Sequence, residues 1–201
     1  MDLAGTADCT RTGVSPRFTA FVAAMTSVLD DARGDERHIL HYGTPHVLEL
    51  VAHDDWLPDH LAQPLPGAYG QYLLYRDPDA RFTAVAFVWD AGAGTPIHDH
   101  KVWGIVGALR GAELAERFEL LPEGGLRSLG TALLRAGEID RVSPRVGDIH
   151  QVRNALGDRS SISIHIYGGD LTTFERDVYD RETGRVEPVV SKPYDNELPL
   201  L

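Results

Sequence analysis

The run Gly92-Ala93-Gly94-Thr95-Pro96-Ile97-His98-Asp99-His100 carries more structural information than any other segment of this chain. Two glycines and a proline ahead of an H-x-H pair describe a turn feeding a strand. In a strand, residues i and i+2 point to the same face, so His98 and His100 converge on one point, as two ligands of one metal must. An H-x-H pair alone is common; a partner segment gives this one weight. Pro144-Arg145-Val146-Gly147-Asp148-Ile149-His150-Gln151-Val152-Arg153-Asn154 has the same design, a glycine turn and then a strand bearing one histidine. Of the nine histidines in all, His38, His41, His46, His53 and His60 fall in a region of helical character. His46, His53 and His60 are spaced to share a helix face and read as a solvated or partly packed one.

Ahead of these segments, Ser15-Pro16 is a helix start: an N-cap hydroxyl, then proline at the first helical position. Phe18, Phe21, Val22, Met25, Val28 and Leu29 recur at helical spacing, and Gly34 closes the segment. Thr44-Pro45 repeats the start signal ahead of Val47, Leu48, Leu50 and Val51, which predicts a second helix ending before Pro58. The expected helical N-terminal region is 1–66. After Pro64 and Pro66 come short strand-like runs, Tyr72–Tyr75, Phe82–Trp89, Val102–Leu109, Leu129–Leu134 and Ser161–Tyr167. Turn signals such as Asp77-Pro78-Asp79 and Gly124-Gly125 separate them. Many short strands at close spacing predict a mainly-β sandwich or barrel over 67–190, with 191–201 as a surface tail. A length of 201 residues suits one domain with a sizeable core, so a single domain, 1–201, is expected.

A net charge of −11 repels phosphate backbones and anionic lipid heads, so neither nucleic acid nor membrane is an expected partner. An anionic substrate needs local positive charge against that background. No apolar run approaches the roughly 20 residues that span a bilayer, and the first residues lack a basic start followed by an apolar stretch. A cytoplasmic location is the expectation. Cys9 is the sole cysteine, which excludes an intrachain disulfide and fits a reducing compartment.

The two histidine segments together resemble the paired motifs of the cupin superfamily. The first motif has a glycine, five residues, H-x-H, a glutamate and a later glycine; Gly92, His98, His100 and Gly111 fall at those places. The second is matched by Gly147, His150 and Asn154. Gly104 stands where the glutamate is usual. Three neutral imidazoles leave the full divalent charge on a metal, which suits an anionic ligand such as a thiolate. In Ser161-Ile162-Ser163-Ile164-His165-Ile166-Tyr167, the residues Ser163, His165 and Tyr167 share one strand face. That face is either solvent or the lumen of a barrel.

Three histidines kept, the glutamate lost and a Ser-x-His-x-Tyr run resemble the thiol dioxygenase branch of the cupins, the cysteine dioxygenase family. The resemblance spans about residues 70–180. It implies a single cupin jelly-roll β-barrel with one Fe(II) per chain on His98, His100 and His150. It also implies a catalytic relay of Ser163, His165 and Tyr167, and a small thiol and O2 as substrates of sulfinate formation. Animal-type members carry an arginine where Gln71 aligns, and a cysteine, cross-linked to the relay tyrosine, where Gly104 aligns. With Cys9 far away in sequence, no link to Tyr167 is expected. The chain is more similar to bacterial glutamine-type members, associated with 3-mercaptopropionate and, in some relatives, mercaptosuccinate. That implies Gln71 and Arg176 as substrate-binding residues and 3-mercaptopropionate as first choice; Arg176 fits a surface position equally well. Arg110 and Arg117 read as surface strand residues. The alternatives are a cysteine or mercaptosuccinate dioxygenase, another metal cupin, or a non-catalytic metal-binding cupin. Three imidazoles would also suit zinc, nickel, cobalt or copper; iron comes from the resemblance.

Overall fold

The chain is described by a computed structural model over residues 13–122 and 124–201; Cys9 lies outside them. The first helix, α1 (Pro16–Ala32), begins as its sequence dictates, with the Ser15 hydroxyl accepting from the Arg17 N–H and Pro16 in the first turn. Phe18, Phe21, Val22, Met25, Val28 and Leu29 are all buried. The second helix, α2 (Glu36–Val51), corrects the expectation at Thr44-Pro45. It starts at Asp35, whose carboxylate accepts from the Arg37 N–H, and Pro45 lies inside it. Proline costs the helix one N–H donor there. Ile39, Leu40, Val47 and Leu50 are buried on the same helix, so packing carries the helix through its local stop signal. His46 lies on α2, whereas His53 lies beyond it and His60 in a short 3-10 turn, so the three share no helix face.

Eleven strands follow among the described residues: β1 (Tyr69–Arg76), β2 (Thr83–Trp89), β3 (Ile97–His98), β4 (Gly104–Arg110), β5 (Ala112–Leu120), β6 (Leu126–Arg135), β7 (Ile139–Val142), β8 (His150–Asn154), β9 (Ser161–Tyr167), β10 (Arg176–Tyr179) and β11 (Val186–Val189). They form two antiparallel sheets, ordered β1-β2-β9-β4-β7 and β11-β10-β3-β8-β5-β6. Within these, β2-β9-β4-β7 faces β3-β8-β5-β6. Strands that alternate in this way between two sheets, around one hairpin, make an eight-stranded jelly roll. The mainly-β barrel with N-terminal helices is therefore the fold class that the cupin resemblance implies.

Every residue of β2 and of β9 is buried. Ile162, Ile164 and Ile166 join Ala84, Ala86 and Val88 in one core with Phe18, Met25, Val47 and Leu50 of the helices. The helices thus cover the outside of the first sheet. Their approach is close: a Cβ on Gly107 of β4 would come within 2.7 Å of Val51 Cγ1. Because the isoleucines of β9 face the helices, its alternate residues Ser163, His165 and Tyr167 face the barrel interior. Val85, Phe87 and Trp89 of β2 lie there too, in a cluster that includes Ala115, Val152, Tyr167 and Leu171.

The chain after β11 runs along the edge strand β1. Asp195 N–H donates to Gln71 O, and Leu201 N–H to Leu74 O. The Asp195 carboxylate accepts from the Gln71 N–H at 2.7 Å, and the Asn196 amide both accepts from and donates to the Leu73 backbone. Hydrogen-bonding groups of β1 that would otherwise form an open sheet edge are satisfied in this way. Among the described residues, no helix is long and apolar enough to cross a membrane.

Candidate metal centre

The centre is assembled where β3 meets β8. Their pairing is one register position, His98 opposite His150. His100 follows β3 by two residues and returns to the same side. The three imidazoles are buried, with ring centroids 4.8 to 4.9 Å apart in every pair. One nitrogen from each lies within 4.8 Å of the others.

Outer partners orient two of the rings. His98 Nδ1 is 3.0 Å from the Pro96 carbonyl, which fixes that nitrogen as the N–H. His100 Nδ1 lies 2.9 Å from Asp148 Oδ1, while the other oxygen of Asp148 accepts from the Lys101 N–H at 2.9 Å. Buried nitrogens left over, His100 Nε2 and His150 Nδ1, have no hydrogen-bond partner. Burial, mainly, holds His98 and His150 well below the usual imidazole range. They are neutral and present lone pairs, as metal ligands must. Orphaned buried nitrogens on converging rings are what a bound cation satisfies, so the donor set fits a metal ion.

Gly104 explains why no carboxylate joins them. It pairs with Tyr167 across β4 and β9. A Cβ at 104 would stand 2.9 Å from Tyr167 Cδ1 and 2.8 Å from Val142 Cγ2. The tyrosine ring fills the space that a longer side chain would need, and it stacks on His100 at 5.2 Å.

Tyr167 begins a hydrogen-bonded chain. Its Oη lies 2.6 Å from His165 Nδ1, and His165 Nε2 lies 2.8 Å from Ser163 Oγ. Ser163 Oγ also accepts from the Trp89 indole N–H at 3.0 Å. All four side chains are buried. Burial pushes His165 down to about 3 and raises the Tyr167 phenol, so both are neutral at physiological pH.

The three histidines, His165 and Tyr167 open on one narrow pocket of about 390 Å³, its mouth included, which Gln71 and Arg176 also line. Gln71 is on β1, nearly buried. Arg176 is on β10, next to the pairing of Val178 with His98. Its Nε donates to Ser191 Oγ at 3.0 Å, and one terminal nitrogen reaches the Asp99 carbonyl at 3.4 Å. Among the described residues it makes no ion pair, and its charge favours the ionised forms of Tyr167 and Tyr69. Of the two places the sequence left open for Arg176, the structure has the pocket.

Arg110 pairs with Asp54 at the surface. Arg117 is half-buried, opposite His150 on β5, and donates to Asp140 and to the Gly147 and Arg141 carbonyls. It holds the turn that delivers His150. Asp148 and Glu113 were missed as site residues. Asp148 had a signal, a carboxylate two residues before a ligand histidine at the mouth of a turn. Glu113 had none, since Arg117 was read as a strand residue but the inward face of β5 was not recognised.

No family model matches the chain. Among solved structures, an uncharacterized conserved protein with a double-stranded beta-helix domain from Klebsiella pneumoniae aligns over 70% of this chain and 100% of its own, at 14% identity and a TM-score of 0.45. A cupin-like protein from Thermotoga maritima aligns over 49% of this chain and 67% of its own, at 20% identity and a TM-score of 0.38. An oxalate oxidase in complex with the substrate analogue glycolate aligns over 52% of this chain, at 18% identity and a TM-score of 0.41. This chain spans about half of that enzyme, 53% of its length.

Proposed function

We propose that this protein is a thiol dioxygenase that holds one Fe(II) on His98, His100 and His150 and converts a small thiol carboxylate and O2 to the sulfinate. The observation that carries the reading is the convergence on one pocket of three buried imidazoles, the Ser163–His165–Tyr167 chain and the Arg176 guanidinium, which makes no ion pair among the described residues. Iron in that place supplies the redox chemistry by which O2 reacts with a thiolate. Both oxygen atoms go to sulfur, so RSH and O2 become a sulfinate and a proton, with no other reductant.

The protein side chains bind, orient and move protons. Arg176 meets the substrate carboxylate with a charge-assisted hydrogen bond. Gln71 offers a neutral amide, which directs the carboxylate without holding it as an arginine would. The Tyr167 hydroxyl faces the pocket and exchanges a proton with whatever lies there, because His165 backs it. Phe87, Trp89, Val152 and Leu171 keep the walls apolar, which strengthens each of these polar contacts. With a carboxylate to meet Arg176 and no amine required, 3-mercaptopropionate is the first-choice substrate.

The test is anaerobic loading with Fe(II), then oxygen uptake with 3-mercaptopropionate, mercaptosuccinate, cysteine and cysteamine at one pH. The expected order puts 3-mercaptopropionate first and cysteamine, which lacks a carboxylate, last. A clear lead for cysteine overturns the substrate choice. No uptake with any of the four on an iron-loaded sample overturns the dioxygenase reading and leaves a metal-binding barrel.

A further inference from the structure

Behind the Ser163–His165–Tyr167 chain, on the side away from the pocket, sits a carboxyl with no assigned role. Glu113 lies on β5 with 2% of its surface exposed. The Ser163 hydroxyl and the Trp89 indole are the neighbours that favour its ionised form, and among the described residues its Oε1 has no hydrogen-bond partner.

Burying a carboxylate without a cation is costly, and the usual response is to keep its proton. Among the described residues no cation faces this one. Across β5 it is paired with Leu134 of β6 and Asn154 of β8. The Asn154 amide nitrogen is committed to the carbonyls of Trp89, Asp90 and Arg159. Arg135 and Arg153 lie opposite Ala112 and Leu114 instead, and are exposed. From β2 the neighbour is Trp89. From β9 it is Ser163, with His165 and Tyr167, the titratable groups of that face, beyond it. Burial accordingly pushes the Glu113 carboxyl up to about 7.

We propose that Glu113 is the proton store of the site, exchanging one proton with the pocket through Ser163, His165 and Tyr167. In its loaded state the Glu113 carboxyl donates to Ser163 Oγ. The Ser163 O–H then donates to His165 Nε2, the His165 Nδ1–H to Tyr167 Oη, and the Tyr167 O–H points into the pocket. In its empty state each proton has moved one bond along. The Tyr167 O–H donates to His165 Nδ1, the His165 Nε2–H to Ser163 Oγ, and the Ser163 O–H to the Glu113 carboxylate. The pocket has gained one proton and Glu113 one negative charge. No group in between changes its charge, and Ser163, with one donor and two acceptor sites, also accepts the Trp89 N–H in both states. Run in reverse, the chain collects the proton that a thiol loses on becoming a thiolate. That use rests on the thiol reading; the store itself does not. Glu113 acts through other residues and is a positioning residue for the proton.

Two measurements test this. The first needs neither metal nor thiol. Carboxyl 13C resonances of metal-free protein, assigned by Glu113→Gln, should show Glu113 protonated in mildly acidic solution and ionising near neutrality, and Tyr167→Phe should shift that ionisation. A Glu113 that ionises in the ordinary carboxylate range overturns the proposal. The second follows, by stopped flow with a pH indicator, thiolate formation and proton appearance in the buffer when 3-mercaptopropionate binds the anaerobic Fe(II) protein near pH 8. In the wild type the proton should reach the buffer after the thiolate has formed, and in Glu113→Gln and Tyr167→Phe together with it, with iron content unchanged. The same timing in all three overturns the proposal. Should Glu113→Gln not fold, Ser163→Ala cuts the same chain one link further on and carries the same expectation. If the thiol binds none of the proteins, the proposed function falls, and the carboxyl titration alone decides for or against the store.

Discussion

Gly104 and Arg176 show how single positions set what the pocket accepts. At Gly104 a Cβ would meet both Tyr167 and Val142 at under 3 Å, and neither contact is the free end of a flexible chain. Overpacking of this kind costs about 1–3 kcal/mol. Gly104→Ala should therefore lower the unfolding free energy by that amount, read from a lower urea midpoint at unchanged m. It should also push the Tyr167 ring off His100, seen as a change in the ring's chemical shifts. Arg176 makes the opposite kind of contribution, since among the described residues its ties are a serine hydroxyl and a distant carbonyl and its charge has no carboxylate. A hydrogen bond to a charged group is worth about 1.5–3 kcal/mol, or roughly tenfold to a hundredfold in affinity. Arg176→Gln should raise KM for thiol carboxylates by that factor and leave cysteamine nearly unaffected. An equal loss for cysteamine would mean that the arginine acts on the fold and not on the carboxylate.

At the scale of elements, the segment after β11 matters more than a surface tail would. It holds Gln71 through Asp195 and Arg176 through Ser191, so both candidate substrate residues depend on it. Asp195→Ala should remove about 1 kcal/mol of local stability and speed hydrogen exchange at the Gln71 amide, with the β9 amides unchanged. Other elements differ in how far their sequence revealed them. β9 was legible to the residue because polar and isoleucine positions alternate without a break, and α1 because cap, proline and apolar stripe agree. The His98, His100 and His150 cluster was legible because strand geometry converts an i, i+2 spacing into convergence. α2 was misread at its start because a local signal, Thr44-Pro45, lost to buried packing that no local window contains. β5 was read only through Arg117, and its inward face was missed because Ala112-Glu113-Leu114-Ala115-Glu116-Arg117 alternates too weakly, with a glutamate at an inward position. Its hidden carboxylate was therefore invisible as well. The side of Arg176 depended on β10 joining β3, a long-range pairing that no local pattern encodes.

For the whole molecule, the buried titratable groups make stability depend on pH in two opposed ways. His165 has its folded value pushed down to about 3, while the unfolded imidazole titrates near 6.5. Below 6.5 the unfolded chain takes protons that the buried ring refuses, so stability is full above that value and declines as pH falls towards 3. His98 and His150 act in the same direction. Glu113 is raised from 4.5 to about 7, so its favourable contribution is complete below 4.5 and lost as pH rises through 7. Metal-free protein should show an unfolding midpoint that falls on both sides of mildly acidic pH, and Glu113→Gln should abolish the fall on the alkaline side only. A second whole-molecule property follows from the way β3 and β8 meet. They touch at one residue pair, and the tie between His100 and Asp148 joins residues 48 positions apart in the sequence. Closing such a loop costs entropy that only the completed barrel repays. The three imidazoles should therefore come together late, after the transition state for folding has been crossed. A metal ion arriving at this protein should then find a finished barrel to bind, not a chain to organise; it should slow unfolding and leave the folding rate unchanged, which folding and unfolding rates measured with and without metal would check.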